Sequence, residues 1–216
     1  MFDTEMSNPK RSGRITRRAF LTGGAAAAAG AVFISTRLGR HEPVVEASAA
    51  KSPAPMVTIV NFDDAGQNLG KETVPKIVKT NAEWKAQLSP MSFDITRRAG
   101  TEIAYTGSTW NEHGKGIFRC ICCDTALFSS ATEFDSGTGW PSFWAPLAKE
   151  NIIESIDASF GMTRTEVKCK RCDAHLGHVF DDGPPPTGLR YCVNSESLAF
   201  TDEADLARLA DPAAER

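Results

Sequence analysis

Cys120-Ile-Cys122-Cys123 and Cys169-Lys-Arg-Cys172 are the two stretches that decide the fold. Each is a C-x-x-C pair, and two such pairs supply the four thiolates of a closed, tetrahedral structural zinc site. Two intervening residues let both sulfurs of a pair face one ion while backbone N–H groups point at them. One ion would tie the segment after Gly116 to the segment ending at Cys169. A small domain thereby gains a staple that its core alone does not supply. Cys122 lies inside the first pair and leaves a C-x-C register open beside the preferred Cys120–Cys123 spacing. Two disulfides, one clipping each pair, are the other alternative.

Outward from the pairs, short runs recur between turn signals. They are Gly116–Cys120, Thr125–Phe128, Ile152–Ile156, Met162–Cys169, His178–Phe180, Leu189–Val193 and Leu198–Phe200. Gly, Asp, Ser and Pro fill the intervals, the pattern of an antiparallel β domain with short strands and long loops. Upstream, Asn81–Leu88 has helical spacing and a polar cap. A second short helix runs from Ser89 to Arg98, with Pro90 at its first position and Gly100 closing it. Val57–Phe62 is an apolar run that makes either a strand and turn or an extended arm. Ala204–Leu209 reads as a frayed terminal helix. The fold class is therefore mainly β, with a few short peripheral helices, in one zinc-stapled domain.

The N-terminus has a different character. Residues 1–18 are polar and include Arg17 and Arg18, and Thr16–Leu21 follows the twin-arginine pattern. Ala19–Thr36 is uncharged and rich in Ala and Gly, and Ala47-Ser48-Ala49 is a small-x-small cleavage site. This is an export signal addressed to the twin-arginine translocase, and it places the chain in the periplasm. A membrane anchor is the alternative, for which the stretch is short and weakly apolar. The resemblance of the signal implies export of a folded protein. A tetrathiolate site is then loaded in the reducing cytoplasm before reaching a compartment that favours disulfides. The chain of 216 residues carries 24 Lys+Arg against 27 Asp+Glu, a formal −3. No basic stripe supports a nucleic-acid partner.

Cys192 stands apart from both pairs, in Gly188-Leu-Arg-Tyr-Cys192-Val-Asn-Ser195. A lone strand cysteine is often a small buried hydrophobe. Here Arg190 and Asn194 lie two residues to either side, so a strand puts all three on one face. A fixed cation favours the thiolate, which is the nucleophilic form, and Asn194 can donate a hydrogen bond. His175 and His178 are either loop histidines with structural hydrogen bonds or proton donors near Cys192. Phe134–Trp144 is a Gly-rich aromatic loop. It makes either a pocket for a methyl-sized group or a loop packed on the core by Trp140 and Phe143.

Five segments together resemble one family: Gly100-Thr-Glu102; Cys120-x-x-Cys123-x-x-x-Leu127-Phe128; Phe134-Asp-Ser-Gly-x-Gly-Trp140-Pro-Ser-Phe143; Cys169-x-x-Cys172-x-x-His175-Leu-Gly-His178-Val-Phe; and Arg190-Tyr-Cys192-x-Asn194-Ser. These are similar to the peptide-methionine (R)-sulfoxide reductases of the B type, in the family's order, from about Asn81 to Phe200. The resemblance implies two antiparallel β-sheets and reduction of the R epimer of methionine sulfoxide, free or in oxidised proteins. It implies Cys192 as nucleophile, with His175, His178, Arg190 and Asn194 at active-site positions. It implies Trp140 holding the substrate methyl, Phe180 lining the pocket, and Cys120, Cys123, Cys169 and Cys172 holding zinc. With the export signal at 1–49, a linker and arm at 50–79 and a tail at 206–216, the reductase domain is expected at 80–205.

Thr138 departs from the resemblance, because many members carry a resolving cysteine there. An external thiol, thioredoxin-like or glutaredoxin-like, then recycles Cys192, or Cys122 substitutes. Ala104, where the family often has Pro, carries no functional weight. Two other classes are weighed against the reductase. A zinc-knuckle binding module leaves the Cys192 segment without a role, and a thiol–disulfide oxidoreductase needs a C-x-x-C that does not hold metal.

Overall fold

The computed structural model describes residues 53–158 and 161–203. The export signal, the helix expected at Ala204–Leu209 and the tail lie outside the described residues. The elements run β1 (Met56–Phe62), β2 (Asn68–Pro75), α1 (Asn81–Gln87), α2 (Pro90–Arg98), β3 (Gly116–Cys120), β4 (Ala126–Ser129), β5 (Ser142–Phe143), β6 (Ile152–Asp157), β7 (Arg164–Cys169), β8 (His175–Phe180), β9 (Arg190–Val193) and β10 (Leu198–Asp202).

From β3 onward the strands form two antiparallel sheets, as expected, in the orders β10-β3-β4 and β5-β9-β8-β7-β6. Aromatic rings join them. Phe143 of β5 stacks on Phe128 of β4 with ring centroids 4.5 Å apart, and Phe118 of β3 meets Phe143 edge-on at 4.9 Å. Tyr191, Val193, Val167 and Leu176 complete a core that excludes water. Phe143 thus packs the loop on the core, whereas Trp140 stays partly exposed.

A third sheet goes beyond the two expected. β1 and β2 form a separate two-stranded ribbon within the segment anticipated as linker and arm. Its turn is made by Asp63, whose side chain accepts from the Gln67 N–H at 2.7 Å, and by Gly66 at φ 81°. β2 buries only Val74, so its sequence carries little alternation to read. Two buried polar side chains dock the ribbon. Asn151 accepts from the Val60 N–H (2.7 Å) and donates to the carbonyls of Val60 and Ala126 (2.8 Å each). Arg119 donates to Phe62 O at 3.1 Å and pairs with Asp64 at 2.8 Å.

The helices form where their caps stand. Thr80 and Glu83 make a reciprocal capping box on α1. Ser89 caps α2, with Pro90 in its first turn, where no backbone N–H is needed. Ala99, not Gly100, takes the left-handed closing position, at φ 54°.

Candidate active site and metal centre

Each cysteine pair sits where a strand turns back. β3 delivers Cys120 and β7 delivers Cys169. The two turns are built alike: the Asp124 N–H donates to Cys120 O at 2.8 Å, and the Asp173 N–H to Cys169 O at 2.9 Å. Both aspartates take left-handed φ angles, 63° and 56°, which Asp tolerates better than most side chains. The repeated unit is therefore Cys-x-x-Cys-Asp. The helices hold both turns from outside. Gln87 donates to Cys122 O at 2.8 Å, and Arg97 donates to Cys172 O at 3.0 and 3.1 Å.

The sulfurs of Cys120 and Cys172 lie 3.7 Å apart and those of Cys123 and Cys169 3.5 Å apart. All four lie within 4.8 Å of one another. Zn–S bonds of about 2.3 Å in a tetrahedron separate sulfurs by about 3.8 Å, so the donor set fits a metal ion. Cys122 is outside the quartet. All six cysteines are free thiols. Hydrogen bonds from Cys120, then Cys169 and Cys172, hold the Cys123 thiol far below its ordinary value. Cys120 and Cys172 of the same quartet are shifted the other way, up from their ordinary value.

The second site is a row of residues across the five-stranded sheet. Ser142 faces Cys192, Cys192 faces His178, His178 faces Glu166, and Glu166 faces Ser155. Directly opposed residues share a face, so this row stands on the side away from Tyr191 and Val193. β9 alternates as expected, with Arg190 and Cys192 partly exposed and Tyr191 and Val193 buried. Gly177 is needed beneath the row, since a Cβ there would lie 2.0 Å from Cys192 O.

Two histidines three residues apart on a regular strand would point to opposite faces. β8 has an irregular register against β7 at this place: Lys168 pairs with His175, but Val167 pairs with Gly177. The extra residue re-aims His175, and the two rings come to 5.4 Å. Each ring has its own carboxylate. His175 Nδ1 lies 2.8 Å from Glu166, and His178 Nε2 lies 2.8 Å from Asp157. Burial pushes the His175 pKa down more than Glu166 raises it, so the ring is neutral near pH 7. The second nitrogen of His175, Nε2, is buried without a hydrogen-bond partner.

Around Cys192, Arg190 stacks over the Phe180 ring at 4.5 Å and forms a two-pronged pair with Asp182, at 2.9 and 2.8 Å. Burial raises the Cys192 thiol above its ordinary value. Arg190 and a hydrogen bond from Thr138 pull it back, and Asp182 adds to the rise. Arg190 thus acts in the direction expected from the sequence, opposed by burial and by the charge of Asp182. Thr138 continues into a hydroxyl chain, to Ser136 at 2.8 Å and on to Ser142 at 2.7 Å. Trp140 donates from its ring nitrogen to Glu102 O at 3.2 Å.

A model of the SelR domain matches residues 88–202, which include both knuckles and the Cys192 row. The chain belongs to the SelR-domain family. The peptide methionine sulfoxide reductase MsrB of Herminiimonas arsenicoxydans is 56% identical over 131 residues, 61% of this chain and 96% of that protein. Its counterpart in Pseudomonas putida (strain W619) is 58% identical over 125 residues, 58% of this chain and 94% of the relative. That of Synechococcus sp. (strain RCC307) is 58% identical over 121 residues, 56% of this chain and 89% of the relative.

Within this SelR domain one sequence expectation needs correction. Asn194 does not share the face of Cys192. It is buried just past β9, where its amide donates to Leu176 O at 3.0 Å and accepts from the Glu102 N–H at 3.1 Å. Its hydrogen bonds hold backbone and are spent there. Sequence reasoning also passed over four carboxylates. Glu102, buried, accepts from the backbone N–H groups of Ser195 (2.7 Å) and Glu196 (3.0 Å) and so ties the Trp140 contact to the end of β9. Asp157, Glu166 and Asp182 orient His178, His175 and Arg190. Only the Gly100-Thr-Glu102 motif signalled any of them. Asp157 and Glu166 are brought in by strand register and Asp182 by a loop, neither of which a local pattern shows.

Proposed function

We propose that this SelR-domain protein reduces methionine-(R)-sulfoxide, free or in oxidised proteins, to methionine, with Cys192 as the nucleophile. The observation that carries the mechanism is the alignment of Cys192 opposite His178 on an open sheet face, with Arg190 and Thr138 beside the thiol. The sulfur of Cys192 attacks the sulfoxide sulfur while a neighbouring acid protonates the sulfoxide oxygen, and the proton of the thiol restores that acid. Methionine leaves, and Cys192 holds the oxygen as a sulfenic acid, oxidised by two electrons. His178 and His175, each oriented by a carboxylate, relay these protons. Trp140 and Phe180 flank the space for the substrate methyl. Arg190 steadies charge on the sulfur, and Asn194 positions Cys192 through the turn after β9.

Thr138 leaves no cysteine in hydrogen-bonding reach of Cys192, so an external thiol of the thioredoxin or glutaredoxin type attacks the sulfenic acid. That attack releases water and leaves a mixed disulfide, from which a second thiol frees the Cys192 thiol and carries away a disulfide. Cys122 is no substitute, being buried among the knuckle cysteines. Zinc is the ion we assign to Cys120, Cys123, Cys169 and Cys172. It would supply a closed, structural tie and no chemistry. Residues 1–49 support export by the twin-arginine translocase to the periplasm, which fractionation of cells expressing the full chain tests.

The mature protein is assayed with separated R and S epimers. R-epimer turnover that Cys192→Ser abolishes is expected, with a trappable sulfenic acid on Cys192 when reductant is withheld. Turnover of the S epimer alone, or a Cys192→Ser variant as active as the parent, would refute the assignment.

A further inference from the structure

A cavity of about 560 Å³ is walled in part by the loop that borders the Cys192 site. Phe134, Asp135 and Ser136 line both this cavity and the smaller cleft that contains Thr138 and Arg190. Trp140, which flanks the space for the substrate methyl, also lines it. Its wall is held by the same loop: Tyr105 donates from its hydroxyl to Gly137 O at 2.6 Å and from its N–H to Gly139 O at 2.8 Å. Gly139 sits at φ 84°, and a Cβ there would lie 2.7 Å from the Tyr105 ring, so the approach requires glycine. Trp110 meets Tyr105 edge-on at 5.2 Å, and both rings are exposed, 37% and 54%. Large aromatic rings fixed in solvent beside a cavity mark a binding surface.

The charge on the wall is one-sided. Glu112, Glu133, Asp135, Glu203 and Asp64 line it, and Lys115 is the one Lys or Arg among the lining residues. Asp64 is already paired with Arg119. The Glu112 carboxylate is fixed by the N–H groups of His113 (2.9 Å) and Gly114 (2.8 Å). Burial, then the charge of Glu112, pushes the half-buried Glu133 up to about 7. A cation placed between them would return Glu133 to its carboxylate form. Aromatic faces with convergent carboxylates are the chemistry that recognises an organic cation.

We propose that this cavity seats a lysine or arginine side chain next to the oxidised methionine of a protein substrate. The proposal rests on the reductase function above and adds a sequence preference to it. The sulfoxide at Cys192 and the cation beyond Trp140 would both lie against one loop, as neighbouring residues of an extended peptide can. Free methionine sulfoxide cannot reach both places.

The test uses R-sulfoxide pentapeptides with Lys, Ala or Glu beside the oxidised methionine. The parent should turn over the Lys peptide with kcat/KM about fivefold or more above the Ala peptide, chiefly through KM, and the Glu peptide below both. In Glu112→Gln/Glu133→Gln the Lys-to-Ala ratio should fall to near one, and Trp110→Leu should reduce it independently. Equal kcat/KM for the three peptides in the parent, or a Lys-to-Ala ratio that both variants retain, overturns the cation site alone. A parent that reduces none of the peptides overturns the cation site and the reductase function together.

Discussion

Asp182 decides how much of the Arg190 charge reaches Cys192. Arg190 lowers the thiol pKa, but its guanidinium is already engaged by the Asp182 carboxylate, whose own charge raises the thiol. The two single variants should therefore move the thiol in opposite directions. Arg190→Met removes a cation that favours the thiolate, so alkylation at Cys192 should shift to higher pH. Asp182→Asn removes a raising charge and frees Arg190, so the same profile should shift to lower pH. Iodoacetamide labelling read at the Cys192 peptide checks both, and shifts of the same sign in the two variants would defeat this account. At this scale the sequence was only half legible. Arg190 beside Cys192 is visible two residues away, whereas Asp182 reaches the pair from the loop between β8 and β9. Asn194 is the opposite case, since local alternation put it on the thiol's face and the chain turned it inward immediately after β9.

Elements explain why both histidines serve one face. Period-two alternation would send His175 and His178 to opposite sides, and the irregular pairing of β8 with β7 cancels that. The seven short runs from Gly116 to Phe200 all become strands, with ends moved by a few residues, because turn residues bound each run. β5 escaped notice, since two residues carry no period. β2 escaped because it hides almost nothing. Two buried side chains tie the β1–β2 ribbon to the domain, Arg119 at Phe62 O and Asn151 at both backbone groups of Val60. Asn151→Ala would leave the Val60 N–H and the carbonyls of Val60 and Ala126 without partners in a dry environment. The expected loss is about 3 kcal/mol of unfolding free energy, measured by urea denaturation. A change below about 0.5 kcal/mol would mean that the ribbon contributes little to the fold.

The whole molecule depends on the knuckles joining β3 to β7, because these strands belong to different sheets. A metal ion there would link the two sheets, and its binding free energy would be folding free energy. Cys172→Ser should therefore lose both the bound metal and the cooperative unfolding transition, followed by metal analysis and thermal melting of the same sample. A metal-free variant that melts like the parent would show the quartet to be dispensable. By itself the sequence determined the four-cysteine quartet that could hold a metal ion, the β-rich class, the two capped helices and the strand that carries Cys192. Each of these is written in spacing of a few residues, where covalent geometry and side-chain period act. Only the tertiary structure decided which carboxylate holds each histidine, how Arg190 is neutralised, and where Trp140 and Glu133 open a second cavity. Those contacts join residues 8 to 38 positions apart or lie on different strands, and register and burial set them rather than any local pattern.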